Sequence, residues 1–207
     1  MLETFCIHLG PLRSNCYIVP LGNGECVAID IGGHPRTFLS FLREHDLSLK
    51  AILLTHGHFD HIGGVEQVRE ETACDVYIHK NDENMLKDIN LNMGTTFNHF
   101  AFYPVKVYKT INDNDVLDFE NLKFTVLHTP GHTKGGVCYV CDDCIFTGDT
   151  LFRQSIGRTD FENGSMSEMT QSLERLCALQ GDYRVMPGHM EESTLDFERN
   201  YNPYIAL

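Results

Sequence analysis

The apolar run Ala51-Ile52-Leu53-Leu54-Thr55 leads straight into His56-Gly57-His58-Phe59-Asp60-His61. No other stretch restricts this chain so tightly. Crowding three imidazoles and a carboxylate beside a buried strand is costly unless a cation compensates. The run 50–56 reads as a strand, with His56 at its end. On an extended chain residues 56, 58 and 60 share one side, and His61 follows where the backbone turns toward a helix announced by Gly63-Gly64. A zinc ion takes three or four protein ligands. Four donors here, with further ones elsewhere, exceed the needs of one catalytic ion.

The further donors each follow a strand. His132 sits in the Pro-Gly turn of "LHTPGHTKGG" after a strand at 124–128, Asp149 follows the apolar "CIFTG", and His189 follows "YRVMPG". Loops at strand ends are where catalytic groups concentrate. Taken singly, each is explained as well by turn chemistry; beside the His-x-His-x-Asp-His run they read as one set. Five histidines and two aspartates suit two metals that share a bridging carboxylate. The other histidines (8, 34, 45, 79, 99 and 128) lack such company and read as structural.

Short strands are expected near 3–7, 15–20 and 25–30, with Gly22-Asn23-Gly24 as a hairpin turn. Helices are expected over 34–46, 65–73, 81–88, 165–179 and from about 191, and further strands at 75–79 and 183–187. This alternation points to one α/β layered domain over 1–207. Sixteen Lys+Arg against 29 Asp+Glu leave a formal charge of −13, which argues against nucleic acid and anionic membrane as partners. No apolar run has transmembrane length and the start does not read as a signal peptide. The eight cysteines lie mostly in apolar segments, as reduced thiols in a cytoplasmic protein would. Cys138 and Cys141 fall on one strand three residues apart, hence on opposite faces.

His-x-His-x-Asp-His, the later Gly-His, the Gly-Asp after a strand and the final Gly-His together resemble the motif series of the metallo-β-lactamase superfamily, over nearly the whole chain. The resemblance implies an αββα sandwich, two mixed sheets flanked by helices, with a dinuclear site along one edge. It implies that His56, His58 and His132 hold one metal, that Asp60, His61 and His189 hold the other, and that Asp149 bridges them. Asp60 and Asp149 are thus the carboxylates at the reacting centre. Asp30 in "AIDIGG" is implied to orient ligands from behind. Zinc is the expected ion, two per chain, although iron or manganese suits the same donors. His58 stands where flavodiiron relatives carry glutamate, which favours hydrolysis.

Two close metals lower the pKa of a water and polarise a carbonyl. A thiolate, from a thiol of pKa about 8.5, leaves without a general acid, and the motifs offer no extra acid. A small acyl thioester is therefore the expected substrate. "PGHTKGG", "TGDTLF" and "SIGRTDF" resemble the short glyoxalase II-like branch, related to hydroxyacylglutathione hydrolases. Only residues 190–207 follow His189, against a whole glutathione-holding helical domain in glyoxalase II. Arg158, Arg153 and Lys134 are the basic residues available to an anionic substrate end. Phe97, Phe100, Phe102 and Tyr103 of the long stretch 90–104 are read either as a substrate mouth or as a covering loop. Competing readings are a mononuclear iron persulfide dioxygenase, a hydrolase of another ester or lactone, a nuclease disfavoured by the charge, and a non-catalytic binding module.

Overall fold

The computed structural model describes residues 1–96 and 102–205. Its first half runs β1 (Phe5–Leu9), β2 (Ser14–Pro20), β3 (Glu25–Ile29), α1 (Pro35–Glu44), β4 (Ser48–Leu53), α2 (Phe59–Ile62), α3 (Val65–Thr72), β5 (Asp75–His79) and β6 (Lys109–Ile111). The second runs β7 (Val116–Phe119), β8 (Leu122–His128), β9 (Val137–Cys141), β10 (Cys144–Gly148), β11 (Leu151–Phe152), β12 (Ser155–Ile156), α4 (Met166–Cys177), β13 (Arg184–Pro187), β14 (Ser193–Thr194) and α5 (Leu195–Tyr201).

Two six-stranded sheets result, ordered β1-β2-β3-β4-β5-β6 and β14-β13-β10-β9-β8-β7. Both are mixed. In the first, β3, β4, β5 and β6 pair in parallel while β1 and β2 are antiparallel; in the second only β10 and β13 are parallel. Strand alternation sorts the apolar side chains into three layers. In β3, Ala28 faces α1 and α3, packing with Phe38, Leu42, Val65 and Val68. Its neighbours Val27 and Ile29 face the other sheet and meet Phe124, Tyr139 and Phe146. In β10, Ile145 faces outward onto Leu173 and Leu176 of α4 and Leu195 of α5. The order is helices, sheet, sheet, helices: the expected αββα sandwich. Cys138 packs with the outer layer and Cys141 between the sheets, so the two thiols do point apart.

Several boundaries differ from expectation. Strand β4 stops at Leu53, so His56 lies beyond it in a loop. The segment 81–88 forms only a 3-10 turn, Glu83–Leu86. The last helix begins at Leu195, because 193–194 pair with β13 and Thr194 caps it through Phe197 N. Among the described residues no helix is long and apolar enough to cross a membrane. Phe97, His99 and Phe100 lie outside the described residues; Phe102 packs partly against the outer core while Tyr103 is exposed.

Candidate metal centre

The loop after β4 is pinned from behind by Asp30. This residue follows β3 with a left-handed backbone (φ 55°), uncommon outside glycine. Its Oδ1 accepts from Thr55 N at 2.8 Å, and its Oδ2 accepts from Thr55 Oγ1 at 2.6 Å and faces His61 Nδ1 at 2.7 Å. Beyond the loop the chain does not stay extended to residue 60. It turns helical at Phe59, so Asp60 and His61 project from one turn of α2, with His61 N donating to His58 O. Gly32 admits that turn: a Cβ there would lie 1.9 Å from Asp60 O.

The second sheet supplies the rest. His132 follows β8, Asp149 follows β10 and His189 follows β13, all at the edge where the first sheet presents its loop. Gly188 N donates to Gly148 O at 2.8 Å, tying two of these ends together. A Cβ on Gly188 would come within 2.5 Å of Asp149 Oδ1 and 2.7 Å of His61 Cε1. Glycine at 188 is thus required by close approach.

Three donor groups form among the described residues: in one, Asp30 meets His56 and His61 from behind, and the other two border the cavity. Nitrogens of His56, His58 and His132 lie within 4.8 Å of one another, as do donor atoms of Asp60, His61 and His189. His58 Nδ1 faces His132 Nε2 at 2.9 Å, and His189 Nε2 faces Asp60 Oδ2 at 3.1 Å. Asp149 straddles the clusters: Oδ1 is 3.4 Å from His61 Nε2, and Oδ2 is 3.5 Å from His132 Nε2 and 3.8 Å from His189 Nε2. Back-side partners set the tautomers. His132 Nδ1 donates to Arg158 O at 2.8 Å, which leaves Nε2 as its inward donor atom. Thr55 Oγ1 has its proton committed to Asp30 and accepts from His56 Nδ1 at 3.1 Å. His56 Nε2, His61 Nε2 and Asp149 Oδ1 are buried without any hydrogen-bond partner. Three orphaned atoms aimed into one space fit a cation there.

The electrostatics agree. Burial, then neighbouring His61 and His58, hold His56 well below the usual imidazole range. Burial followed by His132 draws His58 down to about 3 despite Asp60. Burial also opposes charge on His61, but Asp60, Asp30 and Asp149 outweigh it and raise the ring to about 10. Burial pushes the Asp60 carboxyl up, yet His61 and His189 hold it below the usual carboxylate range. His56 and His58 of the first cluster are thus held neutral. In the second, the carboxylates that favour a charged His61 would favour a divalent cation for the same reason.

Asp82, which the sequence pattern leaves unmarked, holds the two ligand loops together. Its buried carboxylate accepts from Gly57 N at 3.1 Å, Thr133 Oγ1 at 2.7 Å and Gly135 N at 2.7 Å. The available signal was its place: an acid just past β5, at the same kind of strand end as the ligands.

A cavity of about 460 Å³ opens over the clusters, its floor including His58, Asp60, His132, Asp149 and His189. Arg158 reaches its wall, with its guanidinium paired to Asp160 at 2.9 and 2.8 Å and lying 4.5 Å over the Phe161 ring. Arg153 does not line it and instead stacks 4.9 Å over Phe197. Lys134 is exposed, outside the cavity lining, and engages Asn81 and His128 through its backbone carbonyl.

Residues 9–189 match the family described as the metallo-beta-lactamase superfamily. The probable metallo-hydrolase YqgX of Bacillus subtilis is 33% identical, over 95% of this chain and 94% of that protein. Hydroxyacylglutathione hydrolase GloC of Haemophilus influenzae is 30% identical, over 93% of each. Among solved structures, BLEG-1 B3 metallo-beta-lactamase superposes with a TM-score of 0.94 at 33% identity, covering 99% of this chain and 100% of that one. TTHA1623 in a di-iron-bound form gives 0.86 at 34%, covering 97% and 99%. With its profile matched from the first sheet to the last ligand loop, and its fold shared end to end, the chain belongs to the metallo-β-lactamase superfamily.

Proposed function

We propose that this chain is a metallo-hydrolase that holds two divalent ions and cleaves small acyl thioesters. The observation that carries it is Asp149 between the two clusters, beside three orphaned donor atoms. His56, His58 and His132 would hold one ion, Asp60, His61 and His189 the other, with Asp149 available to both. Bound there, two divalent ions lower the pKa of a water and polarise the scissile carbonyl.

The chain's own residues do the rest. Asp30 fixes His61 and, through Thr55, His56; the Arg158 carbonyl fixes His132. Phe161, with its ring 5.5 Å from that of His58 and 5.6 Å from that of His132, keeps bulk water off the first cluster. Among the described residues lining the cavity, Arg158 is the sole titratable side chain outside the ligand set. A guanidinium does not donate a proton at neutral pH. With no general acid among the described lining residues, a leaving group that departs as its anion is favoured, and thiolate does so far more readily than alkoxide or amide anion. Similarity to a hydroxyacylglutathione hydrolase supports the same substrate class. Zinc is the proposed ion, and the di-iron form of TTHA1623 supports iron as the alternative.

Elemental analysis should find close to two ions per chain, and thioesters should be cleaved much faster than matched oxygen esters or amides. One ion at saturating metal would remove the dinuclear reading. Faster turnover of amides or phosphodiesters than of every thioester would remove the substrate class.

A further inference from the structure

We infer that the cavity selects thioesters whose acyl part is apolar and uncharged. This rests on the thioesterase reading and narrows it. Above the ligand floor the described wall is mostly apolar, with Leu12, Met93, Phe152, Ile156, Phe161 and Met190 against the polar Thr96, Ser155 and Arg158. Leu12 and Met190 are 42% and 61% exposed, so the apolar surface continues out to the rim. Among the described residues the one cation on the wall, Arg158, already pairs with Asp160, two positions away in the chain, through two hydrogen bonds. An incoming carboxylate would have to share the guanidinium, through the Nη1 that Asp160 leaves free, and remain beside the Asp160 charge. The other two cations that the sequence offers for this task lie elsewhere, Arg153 over Phe197 and Lys134 outside the lining. The chain as a whole carries −13, which further disfavours an anionic ligand. An apolar acyl chain meets no such cost and gains by leaving water.

In the reaction, water oxygen adds to the carbonyl carbon and the C–S bond breaks with its electron pair leaving on sulfur. The products are a carboxylate, a thiol and one released proton. No oxidant or second substrate is consumed.

The test uses the metal-loaded protein and acyl thioesters of N-acetylcysteamine, an uncharged carrier. Acetyl, butyryl and hexanoyl chains are compared with succinyl, and butyryl is repeated on glutathione, which bears two carboxylates and one ammonium. kcat/KM should rise about fourfold per methylene while the added carbons are buried. Succinyl should fall at least tenfold below butyryl, and the glutathione carrier should bring no gain. Calorimetry with the non-hydrolysable hexyl thioether gives a readout independent of turnover: binding with a negative heat-capacity change, as apolar burial requires. Leu12→Glu, at an exposed rim position, should flatten the chain-length slope several-fold and weaken the thioether.

A flat or falling slope, or succinyl equal to butyryl, overturns the inference while leaving the thioesterase reading intact. Tight thioether binding without turnover of any thioester leaves the apolar cavity standing and overturns the thioesterase reading.

Discussion

Asp82→Asn isolates the contact that joins the two ligand loops. The carboxylate takes three donors, Gly57 N and Thr133 Oγ1 on Oδ2 and Gly135 N on Oδ1, and is 1% exposed. An amide retains one acceptor oxygen. The least costly placement keeps that oxygen toward Gly57 and Thr133 and turns the NH2 onto the Gly135 N–H. One charge-assisted bond is then lost, about 1.5–3 kcal/mol, and a buried N–H is left unmatched at about 1–3 kcal/mol. Against this, removing the charge recovers desolvation, since burial is the leading influence on this carboxyl and raises it above the usual range. A net loss of about 2–4 kcal/mol follows. Both loops carry proposed ligands, so metal affinity should also fall, by about 10–100-fold as for other outer-shell partners of metal ligands. Urea unfolding of the metal-free protein reads the first effect and chelator competition the second. Wild-type values in both assays would show that each loop holds its own shape and that Asp82 does not link them.

Other substitutions probe the rest of the assembly. Asp149→Asn should lose both ions and activity together, whereas Asp60→Asn should weaken mainly the second ion; full metal content and normal turnover in Asp149→Asn would refute the bridge. Saturating metal at a thousand times its Kd should stabilise the fold by about 4 kcal/mol, seen as a higher Tm that chelator reverses. A Tm indifferent to chelator would count against binding at these clusters. His79, stacked on His128 at 4.1 Å, is drawn down to about 4 by burial, with His128 next. A base whose folded pKa is depressed gives stability that is complete above its unfolded pKa of about 6.5 and lost as pH falls from there toward 4, at most about 3 kcal/mol. His79→Phe should flatten the stability curve across that window, and an unchanged curve would show that His79 does not titrate on unfolding.

The donor set was legible because the sequence concentrates it: residues 56–61 make a local pattern with no cheap structural explanation. The layers were legible through apolar alternation, as at Val27, Ala28 and Ile29. What escaped lacks a local signal. Helix α2 is four residues long, too short for a period to show beside β4. Strands β11 and β12 are two residues each. Asp82 draws its donors from residues 25, 51 and 53 positions away. Arg153 looked available to a substrate because nothing near it in sequence announces Phe197. A side chain's type is printed in the sequence, but what neutralises or stacks on it is decided by packing.

Asp60 and His189 meet although 129 positions separate them, and each follows a strand of a different sheet. A chain released from the ribosome in order completes the first sheet's loop long before β13 exists. Contacts of such long sequence separation form late, since closing the intervening chain costs entropy before any contact repays it. The first half alone carries four of the seven donors and cannot assemble either set in full. Turnover, when it appears during refolding, therefore times the docking of one sheet upon the other rather than the formation of either, and gives a clock for the last step of folding without any added label.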